Sequence, residues 1–465
     1  MRFWLILKLI AIGGLSLVIL IALFLVDGLI TDRENYRKEA TVAIASGYAS
    51  EQRVLGPVLV QPYRQVISEE TVEDGKKQVS QRTVESTYTV FPTQLNVKGE
   101  MKPSVRRHGL YQVPVYEFDG AMSGHVDAPA PKLEGKVEFG VPYLAFRVKD
   151  ARGIIGRPAV KVNGAVLPVE GVGLTKVEQD SPVHPDVLAG TNLRIVVPNA
   201  QVAQNGFDFS VDLSLAGTQT LEIVPVADSN HFDISSSWAE PLFAGQFLPR
   251  DRQINESGFH ATWDISSLAT AAQQQTAKTN GQIDAVNVSL TQGVDAYTLS
   301  DRAVKYGILF VFVTFGGFFL FELAKKMLIH PVHYLLVGAS LTTFFLLLVS
   351  FSEHISFGYA YLIASAACIG VLTYYLVAVL KSRGYGFSFG AILTTMYAAI
   401  YGLLVSEDNA LLLGSVMLFG LIAIAMIGTR HVDWYQKTAD LGSANRNSPP
   451  PPPPFTSAAS VGGAL

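Results

Sequence analysis

The chain holds a single cysteine, Cys368, among its 465 residues. That cysteine lies inside an apolar run, so the polar middle of the chain has no thiol to oxidise and no disulfide framework, and its fold must rest on a hydrophobic core. Charge is sparse as well, at 16% of residues. No basic stripe with interleaved aromatics occurs, which argues against a nucleic-acid partner. The H-E-x-x-H, C-x-x-C and Walker spacings are missing, and so is the S-x-x-K set. These patterns announce zinc, thiol, phosphate or acylation chemistry, and without them no residue is assigned as catalytic, no metal ligand is assigned and no cofactor is expected.

What the chain has is apolar mass, 49% of its residues, with a mean hydropathy of +0.30. It is concentrated in the first thirty positions and again from Val304 to Thr429. Crossing a hydrocarbon core of about 30 Å takes roughly 20 apolar residues at about 1.5 Å each. Six segments meet that test: Trp4 to Ile30, Val304 to Leu323, Pro331 to Phe351, Ile355 to Leu380, Gly384 to Val405 and Ala410 to Thr429. Arg2 and Lys8 give the first segment the basic start of a signal peptide, but its apolar stretch from Leu9 to Val26 is long and no small-x-small cleavage site follows, so it reads as a signal anchor.

Lys and Arg in the short connections set the orientation. With the N-terminus inside, the inner turns carry Lys325 and Lys326, then Lys381 and Arg383, then Arg430 and Lys437. The outer turns carry Glu353, and Glu407 with Asp408, and no Lys or Arg. Arg302 and Lys305, at the outer start of the second span, are the exception and can snorkel. Both termini are therefore expected in the cytoplasm, with the large middle segment in the periplasm of a Gram-negative host.

From Thr31 to Ser300 the chain carries 24 Lys and Arg against 31 Asp and Glu. Residues 31–53 are rich in helix formers and read as a helix continuing from, or bent against, the first span. After them come many β-branched, aromatic, often alternating segments bounded by Gly, Pro or Asn, such as "GPVLVQPYRQVI", "KVEFGVPYLAFRV" and "FDFSVDLSL". Strands this numerous, with no helical pattern between them, predict antiparallel sheets in a sandwich. "TVEDGKK" reads as a hairpin turn. The fold class is thus an α-helical membrane protein with six transmembrane helices and a large exported all-β, sandwich-like domain between helix 1 and helices 2–6. Its parts are an anchor over 1–30, a linking helix over 31–53, the periplasmic β-rich domain over 54–300, a five-helix bundle over 301–435 and a disordered tail over 436–465. That tail holds six consecutive prolines, Pro449 to Pro454.

Candidate residues are few. The five histidines of the middle segment, His108, His125, His184, His231 and His260, match no zinc spacing. In the membrane part, Glu322 has Lys325 and Lys326 three and four residues on, which suits an interfacial ion pair or, in a sharper reading, a proton or partner site. His330 and His333 would share one face of a helix, although Pro331 stands between them and no third ligand is near. Glu353 and His354 read as caps of an outer turn. Ala360, Ala364 and Ala367, with Gly370 beyond, form a small-residue face suited to close helix contact.

Three stretches together resemble the CreD family of inner-membrane proteins: "RVLGPVLVQPY" over 53–63, "SSSWAEPLFAGQFLPRDRQINESGFHATW" over 235–263, and the long run over 301–367 beginning "DRAVKYGILFVFV". The similarity extends from about Arg33 to Tyr435. Ala239 and Glu240 stand where the family pattern implies Pro-His, and the proline-rich tail lies outside the resemblance. The resemblance implies a non-enzymatic cell-envelope integrity protein tied to an envelope-stress response, and it brings no catalytic residues with it. Trp238, Pro241, Phe247, Pro249, Gly258, Phe259 and Trp263 match the family's exported pattern and form either core or a binding face. Expected partners are the lipid bilayer and an envelope or membrane protein. A permease using Glu322, Glu353 and His354 is the alternative, and a hydrolase assembled from distant strands is a third reading.

Overall fold

The computed structural model describes residues 2–73, 76–127, 136–172, 191–197, 206–276, 283–290, 296–325, 329–406 and 410–430. The chain divides into two compact units, Asn35–Gly293 and the combination of Met1–Glu34 with Val294–Leu465.

The second of these is helical. Its elements are α1 (Arg2–Gly47, whose last turns belong to the other unit), α2 (Ala296–Lys325), α3 (Pro331–Ser352), α4 (Phe357–Val379), α5 (Arg383–Val405) and α6 (Ala410–Thr429). Among the described residues, α1 to α5 each contain a stretch long and apolar enough to cross a membrane. The sixth expected span falls on α6, a 20-residue helix. The segment expected to link anchor and strands is one unbroken continuation of α1, and it stops at Gly47 rather than running to residue 53.

Helices α2 to α5 pack through aromatic rings. Phe310, Phe344 and Tyr397 approach within 4.7 to 6.1 Å of one another, and Tyr334 sits 4.9 Å from Phe318. The buried row on α4 runs Ala360, Ala364, Cys368, Leu372, Leu376, while Ala367 and Gly370 are exposed. The helix therefore packs along an i+4 ridge, which inclines across its axis and carries the last two residues of the expected small face outward.

The β unit is a sandwich. Among the described residues its eight-stranded sheet runs Asp251–Asn255, Gly258–Ser266, Ser229–Ser236, Gln94–His108, Tyr111–Val126, Phe207–Thr218, Ile154–Val162, Ala165–Leu167. The nine-stranded sheet runs Leu242–Gly245, Val286–Ser289, Thr220–Ile223, Gln52–Glu73, Tyr143–Val148, Thr191–Val196, Glu170–Val172, with Lys76–Val90 and Lys136–Phe139 also paired to Gln52–Glu73. Inward residues of both sheets, among them Leu59, Phe146 and Leu221 from one and Phe118, Phe209 and Phe232 from the other, form a single core cluster. Alternation builds it: Phe207–Thr218 buries Phe207, Phe209, Val211, Leu213 and Leu215 and turns Asp208 and Asp212 to solvent.

Among the described residues pairing is mostly antiparallel, as expected, but two contacts are parallel: Gln52–Val54 with Leu221–Ile223, and Gln94–Met101 with Ser229–Ser236. Both join strands more than a hundred residues apart in sequence, where no turn chemistry dictates direction. The hairpin expected at "TVEDGKK" is present as the long antiparallel pair Gln52–Glu73 and Lys76–Val90, while its turn at 74–75 lies outside the described residues.

Candidate functional site

The aromatic stretch 238–263 is a strap along one side of the sandwich. Leaving the strand Ser229–Ser236 of the eight-stranded sheet, the chain forms Leu242–Gly245 at the edge of the other sheet, then returns as Asp251–Asn255 to the edge of the first. Its anchor packs against the core. Phe243 meets Phe259 at 5.4 Å and Trp263 at 5.7 Å, both edge to face, and the Trp263 indole Nε1 donates to the Phe247 carbonyl at 3.1 Å. Rings in this arrangement add specific attraction to their area burial, and the satisfied indole removes the cost of hiding a polar group. Gly258 has φ of +134° and lies against the Ser236 backbone, so the turn into Gly258–Ser266 has no room for a side chain.

Phe259 and Trp263 are core. Trp238, Pro241, Phe247 and Pro249 are half-buried, and Trp238 Nε1 donates to the Glu240 carbonyl at 2.9 Å. Above this anchor the strap leaves Leu242 at 44%, Leu248 at 67% and Ile254 at 46% exposure. The sequence pattern marks the anchor; the exposed aliphatic rim beside it was not legible, because Leu242 and Ile254 carry the alternation of ordinary strand residues.

The same sheet carries three histidine–aspartate pairs on its solvent face: His125 with Asp208 at 2.7 Å and Asp127 at 3.2 Å, His231 with Asp264 at 2.7 Å, and His260 with Asp233 at 2.8 Å. The Asp208 carboxylate beside it raises the His125 pKa above 6.5, burial opposing slightly and Asp127 adding to the rise. The sequence contained a signal for two of these pairs. "HFD" and "HATWD" put His and Asp at even spacing, hence on one face of each strand. Among the described residues no three His, Cys, Asp or Glu side chains are grouped to hold a metal ion, and none of these three rings is hydrogen-bonded to a serine, threonine or cysteine.

In the helical unit the ionisable candidates do not converge. Glu322 is buried, accepts from the Tyr334 hydroxyl at 3.0 Å and from the Ile329 amide at 3.2 Å, and so ties the end of α2 to the start of α3. Lys326 lies outside the described residues. His330 stands before α3 in extended backbone as its cap, with Pro331 at the first helical position, so it does not share a helix face with His333. His333 Nδ1 instead meets the Tyr375 hydroxyl of α4 at 2.5 Å. Glu353 closes α3 and pairs with Arg33 of α1 at 3.4 Å, while Tyr297 donates to it at 3.4 Å. His354 is exposed and donates to the Ser350 carbonyl at 3.2 Å.

Two features here escape a reading based on charge. A polar file crosses α3, α4 and α5: Ser340 lies 3.2 Å from the Cys368 sulfur, the Tyr397 hydroxyl donates to that sulfur at 3.2 Å, and the Tyr361 hydroxyl donates to the Tyr397 carbonyl at 2.9 Å. Residues 386–390 also carry the G-x-S-x-G spacing of a nucleophile elbow. They are interior to α5, and Ser388 donates to the Tyr385 carbonyl at 3.0 Å, so the strand-to-helix turn that exposes such a serine is not there.

A family model described as "Inner membrane protein CreD" matches residues 4–435. The inner membrane protein CreD of Escherichia coli strain K12 is 33% identical over 446 residues, covering 93% of this chain and 94% of its own. Among solved structures, an M1 zinc metallopeptidase from Deinococcus radiodurans overlaps 43% of this chain and 42% of its own at 7% identity and a TM-score of 0.23, a likeness that carries no argument. Family match, near full-length identity and a set of apolar helices flanking a β sandwich agree: the chain is a multi-pass membrane protein and belongs to the CreD family of inner membrane proteins.

Proposed function

We propose that the protein is a non-enzymatic envelope protein, in which helices anchor the β sandwich on the outer side of the inner membrane and the sandwich contacts an envelope component to support envelope integrity. The observation that carries this reading is the strap: Phe243 packed edge to face on the buried Phe259 and Trp263, with Leu242, Leu248 and Ile254 left exposed along the same stretch. Exposed aliphatic side chains fixed beside a rigid aromatic core are what a contact surface needs. The acids of the helical unit support an anchoring role over a permease, since Glu322 and Glu353 are each engaged in joining one helix to another. Orientation rests on the turns: Lys381 lies between α4 and α5 with Arg383 opening α5, and the turn between α3 and α4 carries no Lys or Arg.

A photo-crosslinking residue at position 248 should capture an envelope component in cells. Leu248→Asp together with Leu242→Asp should abolish both capture and envelope protection at normal protein level. Full protection by that double variant, or capture unchanged by it, overturns the proposal.

A further inference from the structure

Helices α4 and α5 run side by side and touch closely at one end. A side chain at Gly386 would collide with Val377 and one at Gly390 with Thr373. Along one face of the pair the surface falls away into two adjoining cavities of about 780 and 560 Å³. Both are lined by Ile369, Gly370 and Thr394, so they form one continuous trough. It extends from Gly358 to Val377 along α4, about 28 Å at about 1.5 Å per residue, which matches a hydrocarbon core of about 30 Å. Tyr374 and Phe387 stand at its walls, 84% and 65% exposed.

Every lining residue is uncharged except Arg383, at one end. Arg383 is exposed, makes no ion pair among the described residues, and has the exposed Lys381 two positions away. An apolar trough as long as the bilayer core, closed at one end by a cation with no ion-pair partner among the described residues, complements the charge and shape of a lipid with a negative head. A helix of about 10 Å diameter filling the trough would leave Arg383 without an anion at the membrane surface, whereas a phosphate meets it directly. Basic pockets between membrane helices bind anionic head groups for this reason.

We propose that the α4–α5 trough is a binding site for one anionic phospholipid, with its phosphate against Arg383 and an acyl chain lying over Gly370 and Thr394. The test uses the full chain in mild detergent, with native mass spectrometry in equal amounts of phosphatidylglycerol and phosphatidylcholine of the same acyl composition. Phosphatidylglycerol should be retained in preference. Arg383→Gln should cut that preference about fivefold, the weight of one basic residue near an anionic surface. Lys305→Gln, whose parent lysine is paired with Asp301 away from the trough, should leave it intact. Gly370→Leu with Ala391→Leu should remove adducts of both lipids. A preference that survives Arg383→Gln overturns the proposal, as does lipid retained by the filled variant.

If the filled variant does not fold, Tyr374→Trp supplies the readout. Brominated phosphatidylglycerol should quench the added emission more than brominated phosphatidylcholine does, and Arg383→Gln should abolish the difference. Equal quenching by the two lipids overturns the proposal, and so does a trough buried by a second copy, seen as a lipid-free dimer that the filled variant dissociates.

Discussion

Asp150 is the residue on which most of the local polar structure at the end of α1 converges. Its carboxylate accepts from the Ser50 amide at 2.9 Å and from Arg152 Nη2 at 2.6 Å, and Arg152 in turn donates to the Ala45 and Ser46 carbonyls, satisfying the open C-terminal end of that helix. The guanidinium beside it and the two amides hold the Asp150 pKa well below its ordinary 3.8, against the effect of burial. A depressed carboxylate contributes stability that is complete above its unfolded value and is lost as pH falls through the folded one. Asp150→Asn should therefore destabilise the sandwich by about 2 kcal/mol at neutral pH, the loss of charge-assisted hydrogen bonds. The gap to the parent should shrink only below pH 3.8. Denaturant melts across that range check it; a gap already closed at pH 5 would mean the carboxylate is not held as described.

His125 gives the opposite sign. Its raised pKa makes a contribution that is complete below 6.5 and lost as pH rises through the higher folded value. In an NMR titration its midpoint should exceed 6.5, and Asp208→Asn should bring it down. A midpoint unchanged in that variant would assign the shift elsewhere. Neither residue announced itself in the sequence. Asp150 and Ser50 lie a hundred positions apart, and Asp208 is brought to His125 only by strand register.

Elements were easier to read than residues, for a reason visible in each. The apolar helices declare themselves because lipid requires about 20 uncharged residues in a row, and the strands of the sandwich because one buried face imposes a period of two. Direction and partner of a strand are set by contacts across the whole unit, so the parallel pairing of Gln94–Met101 with Ser229–Ser236 left no local trace. The resemblance to the CreD family located the strap, and the structure divides it into buried and exposed parts. That division makes a prediction at the same scale. Trp263→Ala should destabilise the sandwich by about 3 to 5 kcal/mol, because it empties a fully buried site. Leu248→Asp should change stability by no more than about 0.5 kcal/mol. Thermal or urea unfolding of both variants separates them, and equal effects would erase the distinction between anchor and rim.

At the scale of the molecule, α1 contributes to both compact units, so the chain's orientation in the membrane determines which compartment the sandwich faces. The charge asymmetry of the turns makes that orientation testable without disturbing the fold. Cys368 is buried, and its replacement by serine would leave a background without cysteines. Single cysteines can then be placed at Ser257 beside the strap, at the exposed Ser356 between α3 and α4, and at Ser382 between α4 and α5. Inserted helices keep Lys and Arg links on the cytoplasmic side because moving them across is opposed by the membrane potential and the anionic inner surface. A membrane-impermeant maleimide applied to spheroplasts should therefore label positions 257 and 356 at once, and position 382 only after the membrane is opened. Immediate labelling at 382, or protection at 257, would reverse the orientation and remove the sandwich from the envelope side of the membrane.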